Sequence, residues 1–321
     1  MPPIISRYGH GTQVYDPPCL TTGATLYTFA VKADPTGMKA SVDSFLNKAA
    51  PGRVHFEPLG DSVLFFFLRA PSLRSNSPDA PSGFVEDFES APSMPLLMRV
   101  TDEDGRTDAK IVSWMPYVII SDVMGCIAGR EIFGFLKGLG QFYIPTRPGP
   151  LDLWQVTTQT FRELSPTTKN EWSPLYTVRR TSGYDSPVED AIEVFDDVLD
   201  VIKPLILDWS PGLLLDVGID LLHDMANRSF QVVNLKQFPD IEDASQACYQ
   251  EICTAPMKVT KVRGAGRLKG QFQIEVPTYA SHDVAGDLGL AGAGPVYPVE
   301  YGMYIDMDFT VPAGTRVWRS E

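Results

Sequence analysis

Apolar residues recur along this chain in short runs, many of them alternating with polar ones and separated by clusters of Gly, Pro, Asn, Asp and Ser. That period suits strands with one buried face. The β-branched and aromatic run 26–31 predicts a strand, and the continuous apolar run 63–68 predicts a buried one. Segments 96–101 and 109–114 predict a hairpin, because Asp102-Glu103-Asp104-Gly105 between them contains an Asp-Gly pair suited to positive φ. Strand-like character continues through 111–127 and returns at 154–162, 175–181, 232–233, 251–259, 270–276 and 301–311. Tyr304-Ile305-Asp306-Met307-Asp308-Phe309 alternates as a strand with one wet face. Val42, Phe45 and Leu46 give 38–49 a helical spacing. The stretches 71–81, 264–266 and 291–294 carry loop chemistry. Many short strands between turn signals imply a mainly antiparallel sheet or barrel rather than alternating β and α units.

Two regions break the pattern. Residues 1–23 form a Pro- and Gly-rich leader expected to pack across the outside of the domain. Residues 185–226 read as a helical insertion. Ser186-Pro187-Val188-Glu189 is a capping box with proline at the first helical position. From it Val188, Ile192, Phe195, Leu199 and Ile202 recur at helical spacing, with Asp190, Glu193, Asp196, Asp197 and Asp200 as a solvated face. Pro204 ends or kinks this helix, and 213–225 predicts a second, very apolar one that buries against the sheet or another subunit. The expectation is a single domain over 1–321.

Composition narrows the partners. A net charge of −13 argues against a nucleic-acid backbone or an anionic membrane surface. No stretch reaches the roughly 18 uncharged apolar residues of a spanning helix, and the N-terminus lacks the pattern of a secretory signal. A cytoplasmic setting is expected. Cys19, Cys126, Cys248 and Cys253 are too scattered for a disulfide scaffold, and Cys248 and Cys253 lack further ligands for a metal, so they read as packing thiols. No metal and no cofactor is expected: His10, His55, His223 and His282 are dispersed, and the glycine motifs lack the residues that hold phosphates or dinucleotides.

One stretch invites chemistry. Gly129-Arg130-Glu131-Ile132-Phe133-Gly134-Phe135-Leu136-Lys137-Gly138-Leu139-Gly140 sets a lysine in an aromatic, glycine-punctuated turn. Burial among Phe133, Phe135, Leu136 and Leu139 would disfavour the ammonium form. Moving the amine from about 10.4 to about 7 costs about 4 to 5 kcal/mol, within the reach of desolvation. A neutral amine can attack a ketone or aldehyde carbon and form a Schiff base. Arg130 and Glu131 either touch substrate or form a buried ion pair that supports the loop.

This stretch resembles the signature of the acetoacetate decarboxylase superfamily, Gly-Arg-Glu followed by an aromatic link and then usually Pro-Lys-Lys-Leu. The resemblance puts the Schiff-base lysine on Lys137, and Gly138 stands where the second lysine would be. Glu89-Ser90 with Met94-Pro95-Leu96 is similar to a further family segment and puts the active-site acid on Glu89. Residues 301–318, with Phe309-Thr310-Val311-Pro312, are similar to the last two strands. A second expected glutamate falls within Phe65-Phe66-Phe67, and the family's N-terminal arginine has no clear match. The resemblance implies an α+β, mainly antiparallel fold with sheets around a cone-shaped barrel, and a homo-oligomer. It also implies a Schiff-base lyase acting on a small keto acid or aldehyde, with Lys137 and Glu89 catalytic and Phe66, Tyr117, Arg130 and Phe135 at the substrate. Decarboxylation competes with aldol, dehydration or cyclisation chemistry, which Gly138 and the missing arginine favour. A binding protein that kept the barrel is the remaining alternative.

Overall fold

β-branched and aromatic residues at alternate positions build strands here because one face of each can be buried while the other meets solvent or a second core. The computed structural model describes residues 15–50, 52–78, 83–149, 152–183, 188–192 and 229–320. In chain order these form β1 (Cys19–Lys32), α1 (Pro35–Val42), a π-helical turn (Asp43–Asn47), β2 (Val54–Pro58), β3 (Ser62–Ser75), β4 (Val85–Thr101), β5 (Thr107–Trp114) and β6 (Val118–Ile120). Then follow α2 (Val123–Phe133), β7 (Lys137–Tyr143), β8 (Leu153–Thr160), β9 (Glu171–Arg180), β10 (Val188–Ile192), β11 (Ser229–Pro239), β12 (Ala247–Leu268), β13 (Phe272–Glu275), a one-turn helix (Val284–Asp287), β14 (Val296–Val311) and β15 (Thr315–Arg319).

The strands share one hydrogen-bonded sheet in the order β10-β12-β11-β5-β4-β3-β1-β14-β13-β9-β8-β7-β6, with β15 beside β12 and β2 beside β4. Two further pairings, β12 with β14 and β4 with β6, close this path on itself. Strands β12, β11, β5, β4, β6, β7, β8, β9, β13 and β14 form an outer ring, and β3 and β1 cross it as a shared wall. The expected cone-shaped barrel is thus a divided ring. Its cause is strand length: β4 spans 17 residues and β12 spans 22, so each changes partner along its course.

The wall buries both faces. Tyr27, Phe29, Phe65 and Phe67 point into the main core with Trp154 and Tyr176. The intervening residues Leu26 and Leu68 point the other way, toward a smaller core of Ala24, Val259, Met307 and Phe309. Such alternation follows from the two-residue period of a strand.

Several expectations hold. The hairpin pairs Thr101 with Thr107 and turns through Gly105 at φ 79°. The short helix begins at Pro35, capped by Asp34, and buries Met38, Val42 and Leu46. Others are corrected. Strand β1 starts at Cys19, inside the expected leader; residues 1–14 lie outside the described part. Strand β3 runs to Ser75, into the expected loop, and within 63–68 it alternates in burial because its two faces meet different cores. Gly264-Ala265-Gly266 lies within β12, paired with β14 and β10. Val188–Ile192, where the capping box predicts a helix, pairs with β12 as a strand, so sheet hydrogen bonding overrides the local cap signal. The rest of that helix and all of the second lie outside the described residues. Cys248 is exposed rather than packed; Cys19, Cys126 and Cys253 are buried. Among the described residues no helix is long and apolar enough to cross a membrane.

Candidate active site

The lysine motif is not a turn following a strand. Residues 123–133 form α2, whose N-cap Asp122 accepts a 2.6 Å hydrogen bond from the Gly125 amide. The helix stops at Gly134, which has φ 74° and whose added Cβ would lie 2.5 Å from the Cβ of Lys236. Only glycine suits both conditions. Three residues later the chain joins β6 in parallel, with Val118 beside Lys137.

Register then decides which side chains meet. Glu89 on β4 lies opposite Leu68 on β3 and Ile120 on β6, and Ile120 lies beside Leu139 on β7. Neighbours across a ladder share a face, so Phe66, Leu68, Glu89 and Lys137 share one, opposite Phe65, Phe67 and Ser90. On that face Lys137 Nζ donates to Glu89 Oε2 at 2.8 Å, with the two side chains 10% and 23% exposed. The Phe135 ring centroid is 5.4 Å from the same nitrogen, a cation–π distance.

Glycine in the motif has a steric role. Gly125 and Gly129 are one helical turn apart and face this cluster. A Cβ at Gly129 would lie 2.6 Å from Lys137 Cδ, and one at Gly125 would lie 3.0 Å from Ile120 Cδ1. Bare backbone at 129 leaves the lysine its path past the helix. Arg130 and Glu131 are both exposed, which overturns a buried ion pair. Arg130 Nη1 instead donates to the Lys137 carbonyl at 2.8 Å and ties helix to strand.

The expected neutral amine is also overturned. Burial does push the Lys137 amine down, but the Glu89 charge and hydrogen bond, aided by Asp87, outweigh it and raise the amine above its ordinary value. Its resting form is an ammonium. Leu139, expected among the greasy neighbours, is 42% exposed.

Asp87 is the residue that sequence reasoning missed. It stands two positions before Glu89 on the same face of β4 and is 3% exposed. Its Oδ1 accepts from Ser121 Oγ at 2.8 Å and from the amides of Ser121 and Asp122 at 3.3 and 3.1 Å. Burial, then repulsion from Glu89, push its carboxyl up to about 7. The i, i+2 spacing from Glu89 in a strand was the available signal.

The other expected residues divide. Phe66 shares the face of the pair, and Phe135 touches Lys137 Nζ. Tyr117 is engaged elsewhere: its hydroxyl donates to Asp287 Oδ2 and its ring lies 5.7 Å from that of His282, against the main core. Two cavities, of about 460 Å³ beside Glu275 and Tyr297 and about 270 Å³ beside Phe133 and Arg316, open elsewhere; neither is lined by Lys137 or Glu89.

No family model matches the sequence and no curated protein matches it. Solved structures do match its fold. Acetoacetate decarboxylase from Legionella pneumophila subsp. pneumophila str. Philadelphia 1 superposes with a TM-score of 0.57 at 16% identity, over 94% of this chain and 88% of that one. The enduracididine biosynthesis enzyme MppR complexed with pyruvate gives 0.56 at 13% identity, over 97% and 94%. An acetoacetate decarboxylase-like enzyme from Sphingomonas wittichii RW1 gives 0.56 at 14%, over 96% of each chain. The chain therefore has the acetoacetate decarboxylase-like fold.

Proposed function

We propose that this protein is a Schiff-base-forming lyase acting on a small keto acid or aldehyde, with Lys137 as nucleophile and Glu89 as its proton partner. The observation that carries the reading is the 2.8 Å contact between Lys137 Nζ and Glu89 Oε2 on a largely buried face. An ammonium cannot attack a carbonyl; an ammonium already bonded to a carboxylate can give up a proton without a separate base. Glu89 takes that proton, and the freed amine adds to the carbonyl carbon. Glu89 then returns a proton to the departing hydroxyl. In sum, ammonium and carbonyl become iminium and water. Electrons from a breaking bond to the α-carbon flow into the iminium to give an enamine, which is protonated or adds to a second carbonyl.

The fold of pyruvate-complexed MppR, and of MppR complexed with the condensation product of pyruvate and imidazole 4-carboxaldehyde, supports a keto-acid or aldehyde ligand. Glycine at 138 beside Lys137 supports condensation, dehydration or cyclisation over decarboxylation. Incubation with pyruvate plus an aldehyde, and separately with acetoacetate, tests this. Condensation product or carbon dioxide must form with the wild type and vanish in Lys137→Ala. Unchanged turnover in that variant rejects the reading. A second reading, a non-catalytic binding protein, draws on the two cavities remote from the pair; it requires saturable ligand binding that survives Lys137→Ala without turnover.

A further inference from the structure

The candidate site holds two carboxylates and one amine. Asp87 and Glu89 project from the same face of β4, and Lys137 reaches Glu89 from β7, within range of the Asp87 charge. Helix α2 covers the group with Gly125 and Gly129: a Cβ at Gly125 would lie 3.6 Å from Asp87 Oδ2, and one at Gly129 would lie 3.3 Å from Lys137 Nζ. Asp87 is the more deeply buried carboxylate. Its three hydrogen bonds among the described residues, from Ser121 Oγ and the Ser121 and Asp122 amides, go to Oδ1, on the side where the chain passes from β6 into α2.

Fully ionised, this group carries one excess negative charge away from water, an arrangement that favours uptake of a proton. Glu89 shares the proton of Lys137. Among the described residues Asp87 has no such ion-pair partner, and it is the place for the extra one. Its surroundings can be named element by element: Glu89 on β4, Lys137 on β7, Ser121 and Asp122 before α2, Cys126 and Arg130 on α2, Cys19 at the start of β1 and Tyr15 ahead of it. Of the two cations, Arg130 is exposed and bonded to the Lys137 carbonyl, and Lys137 is the one that acts on Asp87.

We propose that Asp87 is a positioning residue that stores a proton beside the Lys137–Glu89 pair and so sets the charge state in which the lysine reacts. With Asp87 neutral the three groups sum to zero charge. When the lysine becomes an iminium that charge is unchanged, and when it becomes a neutral enamine the group carries one negative charge rather than two. With Asp87 ionised, a second carboxylate holds the amine as ammonium and disfavours the enamine. The inference deepens the Schiff-base reading and rests on it for its chemical purpose, but its test does not use turnover.

In protein labelled with ¹³C at aspartate carboxyls and at lysine Cε, NMR titration of the full chain follows both groups. One aspartate is expected to titrate near 7, and the Lys137 Cε signal to follow the same step. In Asp87→Asn that step disappears and the Lys137 amine midpoint falls, read as about tenfold more neutral amine at a fixed pH. Ser121→Ala is milder: it removes a donor to the ionised carboxylate, so the aspartate midpoint rises. An Asp87 that titrates in the ordinary carboxylate range, or a Lys137 midpoint unmoved by Asp87→Asn, overturns the inference. Absence of a carbonyl adduct on Lys137 with both titrations as expected instead rejects the Schiff-base reading.

Discussion

Two buried ion pairs in this molecule look alike on paper and differ in what they can do. Arg180 and Asp152 are 2.6 Å apart with side chains 0% and 2% exposed. The guanidinium also donates to the carbonyls of Gly183 and Lys269 and lies 4.8 Å from the Phe272 ring, and Asp152 accepts from the Gly149 amide at 2.6 Å. Backbone groups hold that pair from both sides, and arginine does not release its proton. Lys137 and Glu89 are 10% and 23% exposed. Among the described residues, the hydrogen bond found for Lys137 Nζ is the one to Glu89. A fork with many fixed partners makes a clamp; an ammonium with one carboxylate partner has a proton it can trade, and a lone pair once that proton has gone.

The contrast can be broken in four ways, from the largest effect on stability to the smallest. Arg180→Ala strands Asp152 without its counter-charge and should cost about 3–5 kcal/mol, read by urea unfolding; whatever fraction stays folded should still form an adduct at Lys137. A loss under 1 kcal/mol would deny the clamp.

Next comes pH. Asp87 is raised in the folded state, to about 7 from 3.8. Its contribution is therefore fully present below about 4 and is lost as pH climbs through 7. Between pH 5 and 8 the wild type should lose about 2–4 kcal/mol that Asp87→Asn keeps. Parallel stability profiles for the two proteins would contradict this.

Gly129→Ala places a methyl 2.6 Å from Lys137 Cδ. It should cost about 1–3 kcal/mol and slow adduct formation by about tenfold or more through misplacement of the amine. Thermal unfolding and single-turnover trapping would read the two effects separately. Finally, Lys137→Met should shift stability by only about 1 kcal/mol, because the partly exposed Glu89 can be hydrated, while it removes adduct formation entirely. Equal destabilisation by Lys137→Met and Arg180→Ala would make both pairs clamps.

Much of the fold was legible: 304–309 declares itself by alternation, 26–31 by its β-branched and aromatic run, and the hairpin by its Asp-Gly turn. Helix α2 was not: its apolar residues resume those of β6 after only Ser121-Asp122, and only the N-cap Asp122 and the C-terminal Gly134 mark it. Val188–Ile192 misled in the opposite sense, since a capping box states a local preference that pairing with β12 overrides. At the site, the likeness to a family motif placed Lys137 and Glu89 together across 48 residues of sequence, and the structure joins them. Asp87 stayed hidden within Glu86-Asp87-Phe88-Glu89, where an acidic run reads as solvent-facing unless strand period is applied to it. The charge of the amine was beyond sequence reading altogether. Desolvation and attraction to Glu89 pull in opposite directions, and only distances show that attraction prevails. Tyr117 was misplaced for the same reason, its partner Asp287 lying 170 residues away.

The most direct test of Lys137 as a Schiff-base former is reductive trapping. The folded protein is incubated with pyruvate and sodium borohydride, digested, and mapped by peptide mass spectrometry. The account predicts one reduced pyruvyl adduct, on Lys137. An unmodified Lys137, or modification confined to exposed lysines such as Lys110, would contradict it.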